Sequence, residues 1–358
     1  MNLNSSSTEC LIKTGGPRYP LPGETNIDVW PIQDGNGGRE ILLSAPTSFT
    51  VRVRFVRLKP MAPSRKSARK QSVSTGPGAI TSRDNRWLKR FRSALAGEPE
   101  GGTVVGVEGL RMVEAALGSG LQVEALLVSD SGERHIARLA PLLKSGAQIL
   151  RTSDRLFARV ADTRTPQGIA ALVRTRPATL EDLVRGTPLV AVLAGVQDPG
   201  NVGTILRAAE AFGATGAATC SVEAMGTADP LGPKALRASA GSALRLPLLH
   251  GLPTKGMISK LRALGVKVYA ATKGQAEAGP RRGPATMQPW EADWKSPAAI
   301  LIGNEGAGLP DGIVEAADAC VSIPQAAPAS PVGVESLNAA MAATVLLYEA
   351  MRQRKAKE

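Results

Sequence analysis

From Leu189 to the end of the chain, short apolar runs alternate with stretches of helical spacing, and this alternation restricts the possible folds most. The units read LVAVLA strand, NVGTILRAAEAFG helix, TGAATC strand, GPKALRASAGS helix, TKGMISKLRAL helix, VKVYAAT strand, AAILIG strand and a closing helix. Strands that alternate with helices argue for a largely parallel sheet with pockets at the strands' carboxyl ends. Two such ends lie close together in the last part of the chain, in AAILIGNEGAGLP (298–310) and CVSIPQAAPASPVGVESLNAAMAATVLLYEAMRQR (320–354). In each, an apolar run ends in a turn rich in Gly, Pro, Ser and Asn, so a strand delivers a loop. The closing helix is expected from about Val334, with Leu337, Met341, Thr344, Val345, Tyr348 and Met351 buried on one stripe and Glu335, Ser336 and Asn338 in a polar first turn.

A smaller α/β series precedes it. SRDNRWLKRFRSAL (82–95) reads as a helix with Trp87, Leu88, Phe91 and Leu95 on one side and Arg83, Arg86, Lys89, Arg90 and Arg92 around the rest. Strand and helix then alternate from TVVGV to IAALVR, which gives a domain over residues 80–176. A linker over 177–188 joins it to the larger domain, 189–354. Residues 1–79 show no sustained periodicity apart from VRVRFVRL (51–58) and are expected to be disordered. Met61 stands just before a basic run, so this extension is also a candidate for sequence outside the native start.

Charge is concentrated in the same region. The net charge is +12, and between Val51 and Arg92 thirteen Lys or Arg face the single acid Asp84, so the rest of the chain balances. A localised basic run suits a polyanion through counterion release, or is a solvated tail. Cys10, Cys220 and Cys320 are scattered, which supports neither a disulfide framework nor a zinc site and suits a reducing cytosol. No run approaches the ~18 apolar residues of a membrane span, and MNLNSSSTEC lacks the layout of a secretory signal. A cytoplasmic protein is expected.

Asn201, Gly203 and Arg207 follow the first strand of the larger domain at N-x-G-x-x-x-R spacing, which puts Asn at a helix mouth and Arg about two turns in. Singly, these are an N-cap and a surface arginine paired with Glu210. GNEGAG (303–308) places its glycines in the reverse order of the dinucleotide fingerprint, and no Walker A sequence occurs. The two histidines, His135 and His250, lie outside these loops, so a Ser-His-Asp hydrolase or a histidine metal site is not expected.

Taken in order, N201-x-G-x-x-x-R207, I302-G-N-E-G-x-G-L309, and I323-P with V334-E-S-L-N338 resemble the three motifs of the SpoU/TrmH family of RNA 2'-O-ribose methyltransferases, in the SPOUT superfamily. DPLGPKALRASAGSALRLPL (229–248) resembles the family's intervening segment, and residues 82–176 resemble the substrate-binding domain found before the catalytic domain in many members. The loop Gln325 to Gly333 is longer than the usual link.

The resemblance implies a C-terminal trefoil knot that binds S-adenosylmethionine, and a homodimer whose active sites combine loops from both subunits. Thr272, Ile302, Gly303, Ile323 and Leu337 would cradle the cofactor, and Asn201, Arg207, Glu305, Ser336 and Asn338 would form the reaction site. In this family the arginine matching Arg207 is proposed to activate the hydroxyl. A guanidinium pKa above ~12 favours instead a phosphate-holding cation that stabilises the forming alkoxide, oriented by Asn201 and Ser336. Arg83, Arg86, Lys89, Arg90 and Arg92 would grip RNA phosphate, with ribosomal RNA as the expected substrate. A transfer-RNA methyltransferase, a base methyltransferase and a non-catalytic RNA-binding or assembly protein are the alternatives. No metal and no membrane partner are expected.

Overall fold

The computed structural model describes residues 28–33, 39–44, 50–54, 79–98, 103–143, 147–273, 284–326 and 336–355. The chain divides into two units, 1–73 and 74–358. In the first, β1 (Asp28–Gln33), β2 (Arg39–Ser44) and β3 (Thr50–Arg54) pair as an antiparallel meander. The strand expected at 51–58 is present as β3, whereas β1 and β2 stand where no strand was expected. Both are short runs, and β1 is an edge strand that tolerates Pro31. The expectation of disorder for the rest of 1–78 lies outside the described residues.

The second unit opens with a five-stranded mixed sheet. It contains β4 (Ala79–Ile80), α1 (Arg86–Leu95), β5 (Val104–Glu108), α2 (Leu110–Gly118), β6 (Gln122–Ser129), α3 (Ile136–Leu139), β7 (Gln148–Thr152), α4 (Asp154–Phe157) and β8 (Ile169–Arg174). The order is β4-β7-β6-β8-β5, with β8 antiparallel to both neighbours. Asn85 caps α1 by accepting from Trp87 N at 2.8 Å. Leu88, Phe91, Ala94 and Leu95 are buried on one side of the sheet, and Met112, Val113, Ala116 and Leu117 of α2 on the other.

Within the expected linker stands a one-turn helix, α5 (Leu180–Leu183), closed by a Thr179–Asp182 capping box. The larger layer follows: β9 (Leu189–Ala194), α6 (Pro199–Ala211), β10 (Gly216–Ser221), α7 (Pro233–Ala238), α8 (Ser242–Arg245), β11 (Leu248–Pro253), α9 (Thr254–Ala263), β12 (Lys267–Thr272), β13 (Thr286–Met287), β14 (Ala298–Ile302), α10 (Asp311–Val314), β15 (Ala319–Ser322) and α11 (Ala339–Lys355). Every pairing in the order β11-β10-β9-β14-β12-β15-β13 is parallel, as the alternation predicts. β9 and β14 are buried along their whole length, which places the carboxyl ends of the central strands together at one edge.

The closing helix departs from expectation in two ways. It begins at Ala339, so Ser336, Leu337 and Asn338 precede it, and Glu335 lies outside the described residues. Its buried face is Ala340, Ala343, Leu346, Leu347 and Ala350, while Met341 is 58%, Tyr348 50% and Val345 41% exposed. Both stripes satisfy the helical period. The alanine-rich one lies against the sheet and α6 because small side chains let helices approach closely, leaving the larger residues outside.

Candidate active site

The loop after β9 turns at Gly195, whose φ of +72° suits glycine, and enters α6 with Asp198 as its cap. The Asp198 carboxylate accepts from Gly200 N at 3.0 Å and from Lys234 Nζ on α7 at 2.6 Å. The loop after β14 folds back on itself through paired Asn304 and Gly308 main-chain bonds of 3.1 and 3.0 Å. A side chain at Gly303 would stand 2.6 Å from the Gly308 carbonyl carbon, and Gly308 has a φ of +70°, so these two glycines of GNEGAG serve this turn. Asn304 Oδ1 accepts from Gly306 and Ala307 N, both at 3.0 Å, and its Nδ2 donates to Gly195 O at 3.0 Å.

Glu305 links the two loops. Its carboxylate accepts from Asp198 N at 3.0 Å, Asn201 Nδ2 at 2.9 Å, Gln197 N at 3.2 Å and Asn304 Nδ2 at 3.4 Å. Asn201 Oδ1 in turn accepts from Asn338 Nδ2 at 3.1 Å, and Asn338 Oδ1 caps α11 by accepting from Ala340 N at 2.8 Å. Glu305, Asn201 and Asn338, which come from three separate motifs, form one hydrogen-bonded line.

Burial pushes the Glu305 carboxyl up. The Asn201 amide and the main-chain donors of Asp198, Glu305 itself and Gln197 outweigh it, and the pKa lies below the ordinary 4.5. Glu305 is therefore a carboxylate at neutral pH whose lone pairs hold a loop. A depressed folded pKa contributes stability that is present above the unfolded value and lost as pH falls through the folded one. The difference in Tm between wild type and Glu305→Gln should therefore be largest near neutrality and shrink below about pH 4, a trend that thermal melts across pH would check.

Thr272, Ile302, Gly303, Ile323 and Leu337 line one cleft of about 300 Å³, together with Ser336 and one face of Glu305. Its polar edge comes from the ends of β12, β14 and β15, and its walls include Leu309 and Leu346. Two acids, Glu305 and Asp311, and one cation, Lys273, line it among the described residues, a balance that fits a cationic or zwitterionic ligand better than a polyphosphate. The Ser336 hydroxyl makes no hydrogen bond among the described residues and stands at this cleft.

Arg207 does not join this set. It is exposed on α6, and Glu210 pairs with Arg245 at 2.6 Å, so the local Arg207–Glu210 pair is absent. Arg207 makes no hydrogen bond or ion pair among the described residues. Of the cations on α1 and just before it, Arg86, Lys89 and Arg92 are exposed, Arg83 meets Asp84 at 3.6 Å, and Arg90 turns inward to Glu124 at 2.8 Å. Asn304 and Lys234 were not singled out from sequence, although Asn304 sits inside the I-G-N-E-G motif. No group of His, Cys, Asp and Glu that could hold a metal occurs among the described residues. No helix among them is long and apolar enough to cross a membrane.

A parallel α/β sheet whose strand ends frame a cleft of mixed charge, with an amide–carboxylate line beside it, has the architecture of a protein that binds a small ligand at the sheet's carboxyl edge. Residues 188–348 match the SpoU rRNA Methylase family, and residues 102–171 match the MRM3-like substrate binding domain. The 23S rRNA (guanosine(2553)-2'-O)-methyltransferase RlmP of Bacillus subtilis is 34% identical, covering 68% of this chain and 86% of its own. The 23S rRNA (uridine(2479)-2'-O)-methyltransferase of Streptomyces viridochromogenes is 34% identical, over 77% and 92%. Among solved structures, an AdoMet-bound rRNA methyltransferase from Sinorhizobium meliloti superposes with a TM-score of 0.62 at 30% identity, over 77% of this chain and 97% of that one. The chain belongs to the SpoU rRNA methylase family.

Proposed function

We propose that this chain transfers a methyl group from S-adenosylmethionine to a ribose 2'-hydroxyl of ribosomal RNA. The observation that carries the reading is the meeting of the cofactor-type cleft with the Glu305–Asn201–Asn338 line, since Glu305 belongs to both. The relatives that act on 23S rRNA and the AdoMet-bound relative supply the substrate class and the cofactor.

Thr272, Ile302, Gly303, Ile323 and Leu337 would hold the cofactor, which supplies an electrophilic methyl group on a sulfonium. Asn201 uses its amide at both ends and Glu305 has its oxygens occupied, so both position the loops and neither is free to take the hydroxyl proton. Ser336, which lines the cleft and makes no hydrogen bond among the described residues, is the group available to orient the ribose hydroxyl. Arg83, Arg86, Lys89 and Arg92 would meet phosphate along α1. Holding hydroxyl and donor in line in a site that excludes water can supply roughly 7–11 kcal/mol of the barrier reduction.

The reading includes a homodimer. Met341, Val345 and Tyr348 form an exposed apolar stripe, and the Tyr348 ring meets Phe212, just past the end of α6, edge-on at 5.7 Å. Asn201–Asn338 and Phe212–Tyr348 set α6 and α11 side by side, so Arg207 stands level with the stripe and would reach into the partner's site. The trefoil knot belongs to the same reading, supported by the insertion of β15 between β12 and β13, both earlier in sequence.

Labelled S-adenosylmethionine incubated with total ribosomal and transfer RNA, followed by digestion to nucleosides, should give a 2'-O-methyl nucleoside from ribosomal RNA. Base methylation, or label only in transfer RNA, would overturn the reading. Val345→Asp should shift the protein to a monomer in sedimentation equilibrium and abolish transfer; an unshifted dimer would remove this face as the interface.

A further inference from the structure

A second cleft, of about 390 Å³, opens at the carboxyl ends of β10 and β11, on the same sheet edge as the cofactor-type cleft. It is separated from that cleft by the turn at Gly195, which Thr227 Oγ1 and Asn304 Nδ2 stitch from opposite sides at 2.9 and 3.0 Å. Val105 of the smaller sheet and Leu231 wall it, and Thr219, Ser221, Asp229 and His250 supply polar groups.

Thr219 is the telling residue. In a strand otherwise made of Gly, Ala, Cys and Ser it lines the cleft with a hydroxyl making no hydrogen bond among the described residues. Thr219 pairs in register with His250 on β11, so both side chains lie on the same face of the sheet. Directly after this pair the register shifts, because Gly251, at φ +87°, is an extra residue on β11. Bulges of this kind re-aim side chains and are enriched beside functional sites.

The ligand class follows from the lining. No Lys or Arg lines this cleft among the described residues, which disfavours a phosphate. Aliphatic walls, an imidazole able to stack, and hydroxyls at the floor suit a planar heterocycle read along its edge. Cys220 also lines it, but burial pushes that thiol up to about 12, so it is an inert wall at neutral pH. Two strand spacings, about 10 Å, separate β10, which carries Thr219, from β14, whose following loop carries Glu305.

We infer that the Thr219–His250 cleft binds a nucleobase of the RNA on the same sheet edge as the methylated ribose and contributes to base selection. The inference rests on the RNA reading above.

The chain has two histidines, so His135, on the smaller layer, serves as an internal control. The test is NMR of the histidine ring signals of the full chain during titration with AMP, GMP, CMP and UMP. One of the four should move the His250 signal saturably and leave His135 in place, and Thr219→Val should weaken that titration about tenfold, the loss of one hydrogen bond. Ser221→Ala provides a second, less buried variant should Thr219→Val fail to fold. No movement of His250 with any monophosphate, or equal movement of both histidines, would overturn the pocket. Methyl transfer to ribosomal RNA measured in parallel separates the two claims, because loss of the RNA reading shows there and loss of the base pocket shows only at His250.

Discussion

Gly203→Ala should lower stability by about 2–3 kcal/mol, read as a Tm drop of roughly 5–10 °C in a thermal melt. A Cβ at this position would lie 2.3 Å from Ala235 O, 2.6 Å from Ala238 Cβ and 2.8 Å from Ser239 N. Two of these are main-chain atoms of α7 and its cap, which cannot rotate aside, so α6 and α7 must separate. The same shift would move Asn201 away from Glu305 and Asp198 away from Lys234, and transfer activity should fall even where the variant stays folded. A Tm within about 1 °C of wild type would show that α7 does not lie against α6 as described. The middle glycine of N-x-G-x-x-x-R is thus explained by helix packing, with no ligand contact required.

Arg207→Ala should reduce methyl transfer about 10²- to 10³-fold, the scale for removing one charge-stabilising donor, and leave S-adenosylmethionine affinity unchanged. The exposed position of Arg207, level with the apolar stripe of α11, makes the proposal that it acts in a partner's site testable by mixing subunits. Arg207→Ala and Asn338→Ala chains, each inactive alone, should regain about a quarter of wild-type activity when re-associated at random, since half the dimers are mixed and each mixed dimer has one intact site. No recovery despite confirmed mixing would place Arg207 in its own subunit's site. Unchanged activity of Arg207→Ala alone would remove it from the reaction.

Much of the scaffold was legible because strand and helix periods are local properties. LVAVLA, VKVYAAT and AAILIG lie in β9, β12 and β14, and Leu88, Phe91 and Leu95 face the core as the spacing of α1 required. The closing helix was legible only as a helix. Its face could not be read, because the alanine stripe and the Met341–Val345–Tyr348 stripe have the same period, and the sheet selects the one that allows closer approach. Parallel pairing was legible for the larger layer, but the antiparallel β8 in the smaller one depends on which edge the chain returns to.

The site divides in the same way. Asn201, Glu305 and Asn338 could be chosen from three ordered motifs, and the sequence alone also determined the family, the parallel sheet and the loops that end its strands. Tertiary structure decided which residues act together. It joined groups more than a hundred positions apart into one hydrogen-bonded line, left Arg207 outside it, and made His250, an unassigned residue, the register partner of Thr219 at a second cleft. The physical reason is that secondary-structure period depends on neighbours in sequence, whereas hydrogen-bond partners and burial depend on the distance between strand ends, which sheet order alone sets.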